Sequence, residues 1–214
     1  MNGMMLLYWL TAYLVGAFPD GWVIVRLVSK RDIRYVGSGR TGMSNVTRVS
    51  GKKWGYLTAF LDVVKGWLAV WLCGIMTPDE PAWVPAVGGI LAVLGHIYSV
   101  FLLEKRRDGR FYFRGGAGGM TSAGAGVALW WGYLLSIPFS ALLYGLTGIT
   151  ATATGSFNLF AALIFAVAAA KGMISPWYIL YCLGAEVLIL ISLRPNIRRM
   201  RRGDERKTNV KFWK

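Results

Sequence analysis

Residues 54–76 read WGYLTAFLDVVKGWLAVWLCGIM, an apolar run that begins directly after a basic, glycine-containing segment. A helix that crosses a lipid bilayer needs about 20 apolar residues, and this run is long enough. Residues 4–28 and 83–103 are runs of the same kind. The chain is also 55% hydrophobic, whereas soluble domains average roughly 45–50% even when glycine is included. We therefore predict an integral membrane protein.

The basic residues lie in three short segments between the apolar runs. The 214 residues include 24 Lys and Arg against 10 Asp and Glu, which gives a net charge of +14. Of the basic residues, 22 fall within 26–53, 105–114 and 194–214. Cytoplasmic segments of membrane proteins carry such an excess, so all three are predicted to face the cytoplasm. Such a surface suits anionic lipid headgroups or phosphorylated substrates better than nucleic acid.

The same charges constrain the topology. One crossing from an outside N-terminus brings residues 29–53 to the cytoplasm, and two more crossings bring 104–114 there. Region 118–193 must then cross an even number of times for the basic C-terminus to be cytoplasmic. Either two long helices or four short ones satisfy this rule, the latter with breaks near Pro138, Gly155 and Lys171. We favour four. The predicted fold is an all-α integral membrane protein with about seven transmembrane helices, forming one domain over residues 1–214.

Residues 36–48 read VGSGRTGMSNVTR and combine glycine with hydrogen-bonding and basic side chains. Glycine allows a tight backbone turn that exposes N–H groups to an anion. The turn glycines are Gly37, Gly39 and Gly42. Ser38 and Asn45 can orient phosphate oxygens, and Arg48 can make a bidentate contact to them. The pattern Gly-x-Gly-x-x-Gly is weak evidence by itself, so a phosphate site and a simple cytoplasmic loop with turn glycines both remain open.

Charged and histidine side chains also lie inside the predicted spans. Asp62 and Lys65 are three positions apart on one helical face and can neutralise one another. Charges in a membrane either pair or have a function, and a structural ion pair and a substrate-facing Lys65 both remain open. His96 is the only histidine, which excludes a histidine metal cluster and favours a packing or hydrogen-bonding role. Because Cys73 and Cys182 show no metal-binding spacing, no metal or cofactor is predicted.

Two further polar segments carry candidate binding residues. Residues 113–121 read FRGGAGGMT and lead into a predicted helix, whose N-terminal N–H groups and dipole attract anions. This second candidate phosphate site consists of Arg114, Gly115, Gly116 and Gly118. The same glycines are also explained if they only let helices approach closely. In the tail that begins at Arg194, a polybasic anchor to anionic lipid explains the charge, but it does not explain Asn196 and Glu205.

In this order, the segments resemble the bacterial acyl-phosphate:glycerol-3-phosphate acyltransferase family, and the similarity covers nearly the whole chain. The family's first block is similar to Gly37-Ser38-Gly39 through Gly42, Asn45-Val46 and Arg48, then Gly51-Lys52-Lys53-x-Gly55 and Asp62-x-x-Lys65-Gly66. Its later blocks are similar to Gly95-His96 through Leu102, to Phe113 through Thr121, and to Arg194, Asn196-Ile197, Arg199, Gly203, Glu205 and Lys207. The match in the first block is dense and specific.

The chain departs from the family pattern at several positions. The two lysines of the family's glycine run are Arg114 and Ala117 here, and the histidine that opens its last block is Leu193. Residues 104–112 are an insertion. Candidates to replace the lost charge are its arginines Arg106, Arg107 and Arg110. The departures leave a second hypothesis open, a diverged relative that binds a phosphorylated lipid or uses another acceptor. A small membrane transporter or scaffold is a third hypothesis.

The resemblance implies an enzyme of the bacterial inner membrane with a cytoplasm-facing active site and no cofactor or metal. Its reaction transfers a fatty acyl group from acyl phosphate to glycerol-3-phosphate and yields lysophosphatidic acid and phosphate, the first step of phospholipid synthesis. The predicted catalytic residues are Ser38, Arg48, Asn196 and Glu205. Substrate binding is predicted for Gly37, Gly39, Gly42, Asn45, Lys52, Lys65, His96, Arg114, Gly115, Gly116 and Gly118. A substrate phosphate or Glu205, rather than His96, is the predicted proton acceptor.

Overall fold

α-Helices dominate the computed structural model, which describes residues 3–105 and 109–207. In chain order they are α1 (Gly3–Ala17), α2 (Asp20–Ser29), α3 (Met43–Ser50), α4 (Lys52–Met76), α5 (Trp83–Ile97), α6 (Gly119–Leu129), α7 (Ser136–Thr147), α8 (Thr150–Thr154), α9 (Phe157–Ala170) and α10 (Trp177–Arg202). The other described elements are the strands β1 (Ser99–Lys105) and β2 (Phe111–Arg114) and the 3₁₀ turns Ile33–Tyr35 and Trp131–Leu135.

Within residues 3–105 and 109–207, four helical stretches are long and apolar enough to cross a membrane. They are Gly3–Ser29, Lys52–Met76, Thr150–Ala170 and Trp177–Arg202, and the apolar helix α5 is shorter. The span predicted at 54–76 is confirmed as α4. The run at 4–28 is divided into α1 and α2 at Pro19, because proline lacks the N–H that would continue the helix.

The predicted span at 83–103 ends early, and the all-α prediction is therefore wrong in part. Helix α5 ends at Ile97, after which β1 pairs antiparallel with β2, with Ser99 opposite Arg114. The Ser99 hydroxyl donates to the carbonyl oxygen of Ala17 at 2.5 Å, which fixes the start of the strand beside the end of α1. A short apolar run does not by itself distinguish a helix from a strand, and the partner strand β2 begins within the insertion.

Region 118–193 folds into separate helices whose boundaries lie near the predicted positions. A turn separates α6 from α7, and Pro138 lies in the first turn of α7, where a missing N–H is tolerated. Gly155 separates α8 from α9, and Lys171 follows α9. The predicted breaks are confirmed as helix boundaries. The number of membrane crossings stays a prediction.

Glycines let the central helices α4 and α6 pack closely. A Cβ at Gly66 would lie 2.0 Å from the carbonyl oxygen of Thr121, and a Cβ at Gly124 would lie 1.9 Å from that of Val63. The two backbones are therefore in contact, as small residues allow in membrane bundles. This contact fixes the N-terminus of α6, and with it the glycine run, relative to α4.

Candidate active site

The three basic segments meet in the structure. Arg114 of β2 donates from Nη1 to the carbonyl oxygen of Arg34, at 3.0 Å, which joins the second segment to the first. Arg40 donates from Nη2 to the carbonyl oxygen of Ser192 on α10, which joins the first segment to α10 two residues before the third segment begins. The convergence of basic segments that a phosphate site requires is therefore present.

Asn45 organises the glycine loop (residues 37–45). Its Nδ2 donates to the carbonyl oxygens of Val36, directly before the loop, and of Arg40, at 2.9 Å each. Its Oδ1 accepts from the Ser38 N–H at 3.0 Å and from Arg48 Nη1 at 2.9 Å. Because the buried amide is fully used inside the protein, its geometry suits positioning of Ser38 and Arg48 better than direct contact with phosphate. The side chains of Ser38 and Arg48 are themselves exposed.

Two of the loop glycines adopt a conformation that other residues avoid. Gly37 has a φ of +66° and Gly39 a φ of +70°, and a left-handed backbone brings Cβ too close to the next carbonyl in other residues. A Cβ at Gly37 would also lie 2.1 Å from Oδ1 of Asn45. Gly42 has an ordinary φ of −81° and precedes α3. The shape of the loop therefore depends on Gly37 and Gly39.

We expect Gly37→Ala to destabilise the protein by about 1–2 kcal/mol through the left-handed backbone alone. Displacement of the Asn45 amide is expected to weaken the binding of inorganic phosphate as well. The check is the thermal unfolding midpoint in detergent with and without inorganic phosphate. Gly74→Ala in α4 is the matched control, because a Cβ there meets nothing within 4 Å. Equal midpoints for the two variants would contradict the prediction.

Arg114 is the last residue of the hairpin that β1 and β2 form, and it lies next to the glycine loop. Its guanidinium is 5.5 Å from the ring centroid of Tyr35 and 5.3 Å from that of Tyr112. Its Nε is 3.3 Å from Oε2 of Glu104, and a Cβ at Gly39 would lie 3.1 Å from its Nη1. Arg114, which is predicted to bind phosphate, therefore lies next to the glycine loop. Glu104 and Tyr112 of the insertion hold its side chain in place.

The contact between Tyr35 and Glu104 makes the hairpin's attachment depend on pH. The Tyr35 hydroxyl donates to the Glu104 carboxylate, and this bond, followed by the Arg114 charge, holds the pKa of Glu104 below its ordinary value of 4.5. A carboxyl group with a lowered folded-state pKa contributes stability above its unfolded pKa and loses it as the pH falls through the folded-state pKa.

We expect Glu104→Gln to lower the thermal unfolding midpoint near neutral pH, where the wild-type carboxylate is charged and paired. The difference from wild type is expected to shrink as the pH falls through the lowered pKa of Glu104, since the wild-type carboxyl group is then as uncharged as the Gln amide. Thermal unfolding of both proteins in detergent across this range measures the difference. A difference that does not change with pH would show that packing, not charge, is responsible.

The glycine run packs on the end of α5. The Gly116 N–H donates to the carbonyl oxygen of His96 at 3.0 Å, and the Thr41 N–H donates to that of Gly115 at 3.2 Å. A Cβ at Gly116 would lie 1.9 Å from Nε2 of His96, so no larger residue fits. Gly118, with a φ of +96°, directly precedes α6. The run therefore provides the close packing that one alternative predicted and leads into the N-terminus of α6, while phosphate binding by this run stays a prediction.

Lys65 is the centre of a buried charge cluster. Its Nζ lies 2.7 Å from Oδ1 of Asp62, 2.8 Å from Oδ2 of Asp20 and 2.9 Å from the carbonyl oxygen of Phe18. Nδ1 of His96 lies 3.3 Å from the same Asp62 oxygen. The four side chains that can carry charge are buried. This geometry favours the structural ion pair for Lys65 and the packing role for His96, and their contacts with substrate stay predictions.

Asn196 and Glu205 contact each other at the end of α10. Nδ2 of Asn196 donates to Oε1 of Glu205 at 2.9 Å, and Nε of Arg199 donates to Oε2 at 2.7 Å. Both carboxylate oxygens are thus engaged, which disfavours Glu205 as a proton acceptor. Oδ1 of Asn196 is buried without a hydrogen-bond partner in the described part of the chain, and its contact with a substrate stays a prediction.

Two residues of the site were not predicted from the sequence. They are Asp20, which pairs with Lys65, and Arg40 of the glycine loop. Asp20 lies inside the apolar run at 4–28, where a lone acid needs a partner, so a signal for it was present. Arg40 had no such signal. Burial is the main reason why the pKa of Arg40 is lowered, and the charge of Arg199 lowers it further, against the opposing effect of Glu205.

Other predicted basic residues stay predictions. Lys52 is exposed in the first turn of α4, and its role in substrate binding stays a prediction. Arg106 and Arg107 of the insertion lie outside the described residues, and Arg110 directly precedes β2. Among the described residues, Arg40, Arg48 and Arg114 contact or belong to the glycine loop.

The chain is similar to proteins described as glycerol-3-phosphate acyltransferases. A family model described as glycerol-3-phosphate acyltransferase matches residues 6–203. The glycerol-3-phosphate acyltransferase of Staphylococcus saprophyticus is 34% identical over 95% of this chain and 98% of its own length. Glycerol-3-phosphate acyltransferase 3 of Dehalococcoides mccartyi is 34% identical over 97% of both chains.

The fold is similar to crystal structures of PlsY (YgiH), an integral membrane glycerol 3-phosphate acyltransferase. The glycerol 3-phosphate form matches with a TM-score of 0.82 at 30% identity, over 97% of both chains. The lysophosphatidic acid form matches with a TM-score of 0.80 at 29% identity, again over 97% of both chains.

Proposed function

We propose that the chain, which belongs to the glycerol-3-phosphate acyltransferase family, transfers a fatty acyl group from acyl phosphate to glycerol-3-phosphate. The products are lysophosphatidic acid and inorganic phosphate. The observation that carries the proposal is the meeting of Arg40, Arg48 and Arg114 around one glycine loop. Two phosphorylated substrates in one site repel each other, and several guanidinium groups offset that repulsion.

The reaction requires the protein mainly to align its two substrates. The first-position hydroxyl oxygen of glycerol-3-phosphate attacks the acyl carbonyl carbon, and the bond from that carbon to the phosphate oxygen breaks. Phosphate leaves with the electron pair and is already a good leaving group, so positioning and charge stabilisation account for most of the catalysis. With both oxygens of Glu205 engaged, we assign the departing proton to a substrate phosphate. The chain has no Gly-x-Ser-x-Gly motif, which argues against a covalent acyl-enzyme.

The proposed role of each residue follows from whether its side chain is exposed and which of its polar atoms are already hydrogen-bonded within the protein. Ser38 and Arg48 are exposed on the glycine loop and, with Arg114, are proposed to hold phosphate oxygens. Asn196 is proposed to accept from the acceptor's hydroxyl through its unpartnered Oδ1. Glu205 is proposed to position Asn196 and Arg199, because it binds both.

We propose a site at the cytoplasmic face of the bacterial inner membrane. Seven apolar helices are available as crossings, namely α1 with α2, then α4, α5, α6, α7, α9 and α10. An odd number places the two termini on opposite sides, with the basic tail inside as the charge distribution requires. Short helices such as α6 can be accommodated by local thinning of the bilayer.

The test is an assay of the purified protein with acyl phosphate and glycerol-3-phosphate. We expect phosphate and lysophosphatidic acid to form in equal amounts, with neither product above background in a boiled control. Absence of phosphate release in the unboiled sample would remove the enzymatic claim. Release only with another hydroxyl compound would support the diverged relative, for which the loss of the family lysine and histidine at Ala117 and Leu193 is the favouring observation.

A further inference from the structure

Arg40 lies where the three basic segments meet. It belongs to the glycine loop, and its Nη2 donates to the carbonyl oxygen of Ser192. The Ser192 hydroxyl in turn donates to the carbonyl oxygen of Ala117, at 3.0 Å. Arg40 and the glycine run at Ala117 therefore share one neighbouring residue, although they are far apart in the sequence.

Arg40 is partly buried, and its guanidinium has no counter-ion among the described residues. In residues 3–105 and 109–207, no carboxylate lies within salt-bridge distance of its guanidinium. The nearby Glu205 is engaged by Asn196 and Arg199. Burying a cation without a partner is unfavourable unless an anion binds to it. Nε and Nη1 of Arg40 have no hydrogen-bond partner among the same residues, so two donors are available to such an anion.

The adjoining glycine run has lost a cation at Ala117, where the family pattern carries lysine. Ala117 cannot bind an anion through its side chain, and Arg114 is held by Glu104 of the insertion. Leu193, in place of the family histidine, is buried in the apolar core at 3% exposure and supplies no charge. In the described part of the chain, the guanidinium of Arg40 is joined to Ala117 through their common neighbour Ser192.

We propose that Arg40 takes the place of the missing lysine and binds a substrate phosphate between the glycine loop, the glycine run and α10. This inference rests on the proposed acyltransferase function. The ligand is a phosphoryl group with at least two free oxygens, which match the planar fork of a guanidinium. Both substrates carry such a group, so the kinetics must distinguish the acceptor from the donor.

The experiment compares Arg40→Gln with wild type, with Arg31→Gln as the control. Arg31 is exposed in the same basic segment, so its loss changes the net charge equally without touching the site. We expect Arg40→Gln to raise KM for one substrate by about ten- to hundredfold, as loss of a charged hydrogen bond does, and Arg31→Gln to leave both KM values unchanged. A rise for glycerol-3-phosphate assigns Arg40 to the acceptor, and a rise for acyl phosphate assigns it to the donor.

A second variant separates binding from support of the loop. Adding Ala117→Lys to Arg40→Gln returns a cation to the glycine run and is expected to recover at least about tenfold of the lost kcat/KM. Unchanged KM values in Arg40→Gln, or a lowered thermal midpoint with no recovery in the double variant, would overturn the inference while wild type remains active. An inactive wild type would remove the proposed function, and this inference with it.

Discussion

Arg48→Ala is expected to lower kcat/KM by about 10²–10³-fold, the loss typical when one charged donor is removed from a developing transition state. The reason lies in the geometry of the glycine loop. Arg48 uses Nη1 to bind Oδ1 of Asn45 at 2.9 Å, and its remaining donors project from an exposed position. Ser38 is fixed by the same oxygen atom through its N–H, so the two residues face a common space. Steady-state kinetics with both substrates measure the effect.

Two comparisons make this prediction specific. Arg48→Lys keeps the charge but not the planar fork, and we expect it to recover only part of the loss. Ser38→Ala is also expected to be severely impaired, because its hydroxyl is replaced while the N–H bond to Asn45 remains. If Arg48→Ala and Ser38→Ala both keep wild-type activity, the loop is a simple cytoplasmic turn that takes no part in the reaction.

Much of this site follows from the sequence because its parts are local. The glycine loop, the pair Asp62 and Lys65, and the run that leads into α6 each lie within a short segment. In such segments the residue types and their spacing largely determine the backbone. Even here the sequence leaves Asn45 ambiguous, because an amide can bind phosphate or hold its own loop. Only the four hydrogen bonds of its side chain distinguish these roles.

The long-range partners do not follow from the sequence. Asp20 and Lys65 are 45 residues apart, and Arg40 and Ser192 are 152 residues apart. Hydropathy and charge indicate which side of the membrane a loop occupies, but they do not show which loops touch. The hairpin of β1 and β2 could not be predicted from the sequence for a related reason. Its first strand continues an apolar run, and only pairing with β2 distinguishes it from the end of a helix.

Lys65→Met is expected to lower the free energy of unfolding by about 3–5 kcal/mol, the loss typical when one partner of a buried ion pair is removed. The substitution leaves Asp62 and Asp20 buried without the ammonium group that lies 2.7 and 2.8 Å from them. Only His96 remains beside Asp62. Unfolding in detergent, followed as a midpoint in temperature or denaturant, measures the effect.

A triple variant decides whether Lys65 also touches substrate. Asp20→Asn and Asp62→Asn added to Lys65→Met remove the unpaired charges, and we expect most of the lost stability to return, because neutral amides are far less costly to bury than carboxylates. If Lys65 is only structural, this folded protein keeps a KM for glycerol-3-phosphate close to that of wild type. A stable triple variant whose KM is raised about tenfold or more would instead place Lys65 on the substrate, and the ion-pair interpretation would then be wrong.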